Sequence, residues 1–284
     1  MRKKKYIKYH KKNLKKYDKN EDSLITLKEY LAEEISRGPS AEKTDIDYNY
    51  QSYMNIYNYF LVALINFRKF KILCIPNFIL KWGNYATRAA VVYVKQTKQL
   101  YIANNMIESI KKCSNQDKVR FIYFSFILLP SFKDKLSHSN IVVIDLVRKT
   151  VELFEPYGYF DDKISKYIEN ILFKKILKIL ELSKFKYLPP SHISPKMGIQ
   201  KTTDAYCGMC ITISMMYLHM RILNPDINQK KIIKHFLSYS KNKLKDIILK
   251  YARHVEDTLK KNKFSVVSFN EEYIRKVDQM FNEY

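Results

Sequence analysis

Glycine is the first shortage in this chain: only five occur among 284 residues. That excludes a glycine-rich phosphate loop and any glycine-periodic fibre, both of which need closely spaced glycines. Cysteine is also scarce, at four. Four thiols in so long a chain do not make the disulfide framework of a small secreted domain. Long apolar runs are missing too. The longest, Phe121 to Leu129, is interrupted by Ser125 and stopped by Pro130, well short of the ~20 residues of a membrane span. No apolar segment of the secretory kind follows the start Met1-Arg-Lys-Lys-Lys-Tyr6, so a reducing, intracellular setting is expected. Acidic residues are outnumbered, leaving a formal net charge of +23. Such a charge favours anionic partners. However, the excess is mostly lysine spread along the chain. A bias to Lys, Tyr, Asn and Ile with little Gly is also what AT-rich coding produces, so the charge is discounted as a functional signal.

What is present suits a folded protein. Hydrophobic residues make up 46% and aromatics 14%, enough to bury a core in one large domain or two small ones. Residues 1–20 form a basic arm, with Lys3-Lys-Lys5, Lys11-Lys12 and Lys15-Lys16. Without apolar periodicity it is expected to be flexible: a solvated tail, or a weak electrostatic contact to nucleic acid or an acidic partner. Residues 21–47 carry a short helix, Ser23 to Ile35, and a linker from Ser36 to Thr44. The folded domain is placed at 48–284.

Within that domain, Tyr53 to Phe67 has the pattern of a buried helix, and Ala89 to Val94 and Val119 to Leu129 that of strands. Ile141–Ile144 and Thr150–Phe154 pair as an antiparallel hairpin. Lys163–Leu182, Cys207–Leu223 and Leu244–Leu259 have helical spacing, and Asp226 is positioned to cap a helix running to Phe236. Tyr187 to Pro195 has the look of a loop. No internal repeat occurs. The fold class is α+β, with helices around a central, mostly antiparallel sheet.

Three segments carry chemistry: His138 in Leu136-Ser-His-Ser-Asn-Ile-Val-Val-Ile-Asp145, Glu155 in Phe154-Glu-Pro-Tyr-Gly158, and Cys207 in Asp204-Ala-Tyr-Cys-Gly208. A loop at Leu146–Lys149 sets Asp145 opposite Thr150 and position 140 opposite 155. His138 then lies diagonal to Glu155, about 7–8 Å away at the backbone and within side-chain reach. Asp145, the rival carboxylate, belongs to the turn end of the hairpin. Cys207 opens a helix, where unpaired amides and the macrodipole favour a thiolate. An ordinary thiol, with a pKa near ~8.5, is a weak nucleophile at neutral pH without such help. Cys207 as nucleophile, His138 as general base and acid, Glu155 orienting the imidazole and Gln200 aiding the oxyanion make a complete thiol mechanism. Gly158, Gly198 and Gly208, three of the scarce glycines, fall in or beside these segments.

Blander readings stand beside this one. A single histidine at a strand end, or a cysteine at an apolar helix, is more often a packing residue. Cys207-Gly-Met-Cys210 could be a redox dithiol. A zinc site would need two more ligands, and no second Cys-x-x-Cys or His-x-x-x-His pair exists. No metal or other cofactor is expected. His192, His219, His235 and His254 have no informative spacing, and Trp82 is a packed indole before it is a cleft wall.

At these residues the chain resembles the ubiquitin-like-protein (SUMO) protease superfamily of cysteine proteases. The likeness is nearest to the divergent branch of nucleocytoplasmic large DNA viruses. It rests on His138-Ser-Asn-Ile-Val-Val-Ile-Asp145, Phe154-Glu-Pro-Tyr-Gly158, Gly198-Ile-Gln200, Ala205-Tyr-Cys207 and Arg221-Ile-Leu-Asn-Pro-Asp226, over residues 119–255. Ser139 stands where that pattern has Trp, Gln200 lies seven residues before Cys207 rather than six, and Cys210 stands where it is large and apolar. The resemblance implies a papain-like fold and a thiol protease or isopeptidase cutting after a Gly-rich site. The implied substrate is a ubiquitin-like modifier or a viral structural precursor, met in host cytoplasm or virus factory or packaged in the virion. The alternative is a catalytically inactive binding or virion-structural module of the same fold that engages a modifier or nucleic acid.

Overall fold

The computed structural model describes residues 68–82, 85–131, 138–159, 163–203 and 209–262, with isolated positions at Ala63, Arg275 and Gln279. The basic arm, the Ser23–Ile35 segment, nearly all of Tyr53–Phe67 and Cys207 lie outside the described residues.

A chain rich in branched and aromatic residues between positions 73 and 154 builds strands, as their preference for a pleated, packed surface dictates. The described residues include nine strands: β1 (Leu73–Cys74), β2 (Ile79–Trp82), β3 (Tyr85–Arg88), β4 (Ala90–Val94), β5 (Gln99–Tyr101), β6 (Phe121–Leu129), β7 (His138–Asp145), β8 (Thr150–Phe154) and β9 (Lys186–Leu188). Strands β2 and β3 form a separate antiparallel pair. The other seven make one sheet in the order β5-β4-β6-β7-β8-β9, with β1 also pairing with β6.

The sheet corrects one expectation. It is mixed rather than mostly antiparallel: β1 and β4 run parallel to β6 and β9 runs parallel to β8, while β4–β5, β6–β7 and β7–β8 are antiparallel. Only hairpins join adjacent strands by short turns, whereas parallel neighbours need crossovers. Two of these crossovers contain helices that local sequence only partly signalled. One is α1 (Met106–Ser114), and the other runs through α2 (Lys163–Tyr167), a π turn (Ile168–Leu172) and α3 (Phe173–Ile179). Then come α4 (Pro190–Ile193), α5 (Ile199–Thr203), α6 (Met209–Leu223), α7 (Gln229–Leu237) and α8 (Lys241–Lys261). The architecture is mixed α and β, consistent with an α+β class.

Helices cover both faces of the sheet. On one face α6 packs across β7 and β8, with Phe154 stacked on Tyr217 at a ring separation of 4.1 Å. On the other, Phe173 of α3 meets Phe126 of β6 edge-on. This explains why β6, β7 and β8 are buried along nearly their whole length, with the near-continuous apolar runs of a two-sided core strand.

Two local expectations change. Tyr187 to Pro195 is not all loop: it holds β9 and the single turn of α4, opened by Pro190, a residue whose fixed φ suits the first helical position. The helix ending at Leu237 is capped by Asn228, whose side chain accepts from the Lys230 amide, rather than by Asp226. The latter accepts a 2.7 Å hydrogen bond from Arg120 Nη1 instead. Further, Cys74 of β1 and Cys113 of α1 are joined in a disulfide, a pair that their spacing does not single out and one at odds with the reducing setting expected above. Among the described residues no helix is long and apolar enough to cross a membrane.

Candidate active site

The hairpin register places the histidine beside its carboxylate. In β7–β8, Asp145 lies opposite Thr150 and Ile141 opposite Phe154, as the sequence pattern predicts. His138 opens β7, and Glu155 is the first residue beyond β8. Their side chains meet: His138 Nε2 and Glu155 Oε1 are 2.7 Å apart. The same Glu155 oxygen accepts the Tyr157 amide at 2.9 Å, so the carboxylate is held from both sides. The Tyr157 ring lies beside the imidazole, with ring centroids 5.1 Å apart.

A third group completes the imidazole's surroundings. The Cys210 sulfur, in the first turn of α6, acts electrostatically on His138. Burial alone would lower the pKa of this imidazole. The neighbouring Glu155 charge and the Cys210 sulfur outweigh it, and the pKa is pushed up to about 10. At neutral pH His138 is therefore an imidazolium in the resting protein, the state that stabilises a nearby thiolate. Cys210 is a buried free thiol, 3% exposed. Its partnership with His138 escaped sequence reasoning, which treated it only as half of a Cys-x-x-Cys pair. The available signal was its three-residue spacing from Cys207, one helical turn.

Gln200 sits in α5 and is held by the backbone. Its amide donates to Pro156 O at 2.9 Å, and the Gly198 amide donates to Tyr157 O, also at 2.9 Å. The segment after Glu155 is thus laced to the segment before Gln200. Two scarce glycines make this possible. A Cβ on Gly198 would lie 2.2 Å from the Gly158 nitrogen, and one on Gly158 would lie 2.5 Å from the Gly198 nitrogen. Gly158 also has a φ of +98°, which side chains disfavour. The Gln200 side chain is buried, and its Oε1 has no hydrogen-bond partner among the described residues. A buried orphan of this kind is costly.

The structure thus brings His138 and Glu155 into direct contact and ties the Glu155 loop to the Gln200 segment. Cys207 falls outside the described residues. Arg221-Ile-Leu-Asn-Pro-Asp226 is structural: Arg221 binds Glu152 through Nη2–Oε1 at 2.9 Å and Nε–Oε2 at 3.0 Å. Tyr217 and Gln229 donate to the same carboxylate, at 2.8 and 2.5 Å. Arg120 bridges Asp145 and Asp226. This cluster gathers around the turn end of the β7–β8 hairpin, away from His138, and confirms that Asp145 is not the histidine's partner.

Among known proteins, the chain is similar to a putative ankyrin repeat protein of Acanthamoeba polyphaga mimivirus. The two are 23% identical over 235 residues, covering 74% of this chain and 27% of that protein. The chain spans about a quarter of that relative's length. No family model matches the chain. These findings overturn the assignment to the SUMO-protease superfamily and the protease label drawn from it: the likeness found is to a giant-virus protein that carries neither description. The viral flavour of the motifs does fit. An ankyrin repeat is a 33-residue unit of a β-turn and two helices, and the described residues here form a mixed sheet covered by helices.

Proposed function

We propose that this chain is a cysteine-dependent hydrolase of peptide or isopeptide bonds in a protein substrate. The observation that supports it most is the 2.7 Å His138–Glu155 pair beside the start of α6. In this reading the Cys207 thiolate adds to the carbonyl carbon, and Gln200 with backbone amides steadies the oxyanion. His138 then gives its proton to the leaving amine, while Glu155 keeps Nε2–H bound and so fixes the tautomer. The acyl-thioester is released when water, deprotonated by His138, attacks it. An imidazole at the start of a strand, with a long helix packed on that strand, suits a papain-like layout, and we propose that fold on this basis. The substrate is a ubiquitin-like modifier or a viral structural precursor.

The decisive experiment is the iodoacetamide reaction rate of Cys207 against pH, resolved by peptide mass spectrometry. Fast reaction well below pH 7 that disappears in His138→Ala is expected. Slow reaction rising only near pH ~8.5, as for a free thiol, would sink the proposal. The second reading is a non-catalytic protein-binding module within a longer protein. It is favoured by the partial match to a relative named for ankyrin repeats, since repeat arrays present extended binding surfaces. In that case binding to a protein partner would persist unchanged in Cys207→Ala and His138→Ala.

A further inference from the structure

Lysine is spread along this chain, but the acids that would balance it are not. Between Leu182 and Lys245 the acidic residues are Asp204 and Asp226 alone, and Asp226 is already bound to Arg120. The fold gathers lysines of this stretch at one edge of the sheet. Strand β9 is that edge; its Lys186 lies opposite Thr150, and the Lys186 amide donates to Lys149 O at 2.7 Å. Helix α4 packs on both β9 and α7, which brings its His192 close to Lys230 and Lys186; partial burial, then the charges of these two lysines, lower the His192 pKa. Lys234 stands one helical turn beyond Lys230 on the same side of α7. Lys149, Lys184, Lys186, Lys230 and Lys234 are all exposed, and none pairs with a carboxylate among the described residues. Other exposed lysines do: Lys111 meets Glu181, and Lys243 and Lys250 share Asp246. A cationic face without counter-charges attracts anions. The apolar side of α7, with Ile232, Ile233 and Phe236, is buried, which leaves that helix no face to lay into a membrane. Protein–protein interfaces are depleted in lysine. The nearest rings are half-buried, Phe185 beneath Lys149 and Tyr187 stacked on Phe173, so no open platform exists there for unpaired bases. We infer that the β9–α4–α7 edge is a docking surface for the phosphate backbone of duplex nucleic acid. It holds the duplex without regard to sequence, because lysine ammoniums are point charges and phosphate contacts carry no base information.

The inference stands whether or not the chain is a hydrolase, since none of these lysines belongs to the His138 site. Its test is fluorescence anisotropy of the full chain with a labelled DNA duplex. The wild type is expected to bind the duplex, and one of scrambled sequence equally, with an affinity that falls steeply between about 50 and 200 mM salt. In the triple variant Lys186→Glu/Lys230→Glu/Lys234→Glu, the slope of log affinity against log salt should shrink by roughly 2–3 and binding should weaken by about tenfold or more, as the loss of three phosphate contacts requires. A control of equal net charge, Lys71→Glu/Lys95→Glu/Lys112→Glu, changes exposed lysines away from this edge, near β1, β4 and α1, and should keep nearly the wild-type slope. No binding by the wild type at about 50 mM salt would overturn the inference. So would undiminished binding by the triple variant, which would move the contact to the basic arm, or an equal loss in both variants, which would leave only net charge. Tighter binding to a single strand than to the duplex would overturn it too, as would binding to phosphatidylserine vesicles but not to the duplex. Because every substituted side chain is exposed, near-unchanged urea midpoints in both variants are the check that folding persists.

Discussion

At the scale of single residues, the site is an electrostatic arrangement with few parts. Glu155 is held in place by the Tyr157 amide before it touches the imidazole, so its orientation does not depend on His138 being charged. Replacing it by Gln keeps the shape and removes the charge. Glu155→Gln should therefore bring the His138 pKa down from about 10 towards or below the ordinary ~6.5. In the hydrolase reading it should also reduce turnover by roughly 10²–10⁴-fold, the usual worth of general acid–base catalysis. NMR titration and kinetics of the same variant would check both. Stability responds to the histidines in opposite directions. The His138 pKa is raised on folding, so its contribution is fully present below pH ~6.5 and is lost as pH climbs through about 10. His254 is pushed down to about 4 by burial, and His219 well below its usual value by burial and by His254. Their contribution is present above pH ~6.5 and is lost as pH falls towards 4. Urea midpoints should thus decline on both sides of neutrality. The acidic decline should be shallower in His254→Gln, and the alkaline one shallower in His138→Gln.

At the scale of elements, the hairpin was legible and the parallel pairings were not. Alternating and branched residues from Ile141 to Phe154, with a turn between them, specify pairing and register by local chemistry alone, and the Asp145–Thr150 pairing follows. That register is why Glu155 could be chosen over Asp145 from sequence. The parallel pairings of β4 with β6 and of β8 with β9 depend on where helices carry the chain, which no local pattern states. The three-residue β9 is too short to show a period at all. The meeting of Gly158 with Gly198 was equally hidden, being a contact between segments forty residues apart, although their scarcity hinted at demanding backbone. Gly198→Ala places a methyl 2.2 Å from the Gly158 nitrogen, so the two segments must part. We expect a loss of about 1–3 kcal/mol, the usual cost of forcing extra volume into a packed site. Denaturant unfolding measures that loss. In the hydrolase reading kcat should fall more than KM rises, because Gln200 moves relative to His138.

At the scale of the whole molecule, a covered sheet is anchored at one end by a buried charge cluster. Glu152 is fully buried and receives Arg221, Tyr217 and Gln229 together. Removing the carboxylate leaves a buried guanidinium short of its main counter-charge. Glu152→Ala should cost about 3–5 kcal/mol, as for other broken buried pairs. It should lower the thermal midpoint far more than Lys243→Ala, which breaks an exposed pair with Asp246. The Cys74–Cys113 bond joins β1 to α1 beside the same sheet. Reduction is expected to remove about 2–4 kcal/mol, seen as a shift of the unfolding midpoint between samples with and without reductant.

Strand β7 separates the two ends. Its eight residues run from His138 to Asp145, roughly 24 Å at strand spacing. Groups so far apart with no shared partner contribute to folding independently, whereas neighbours do not. A lineage could therefore rework the imidazole end, changing what is bound or cut, without renegotiating the charges that hold the hairpin turn. The converse also holds, and combining a substitution at His138 with one at Glu152 should give the simple sum of their separate effects on unfolding.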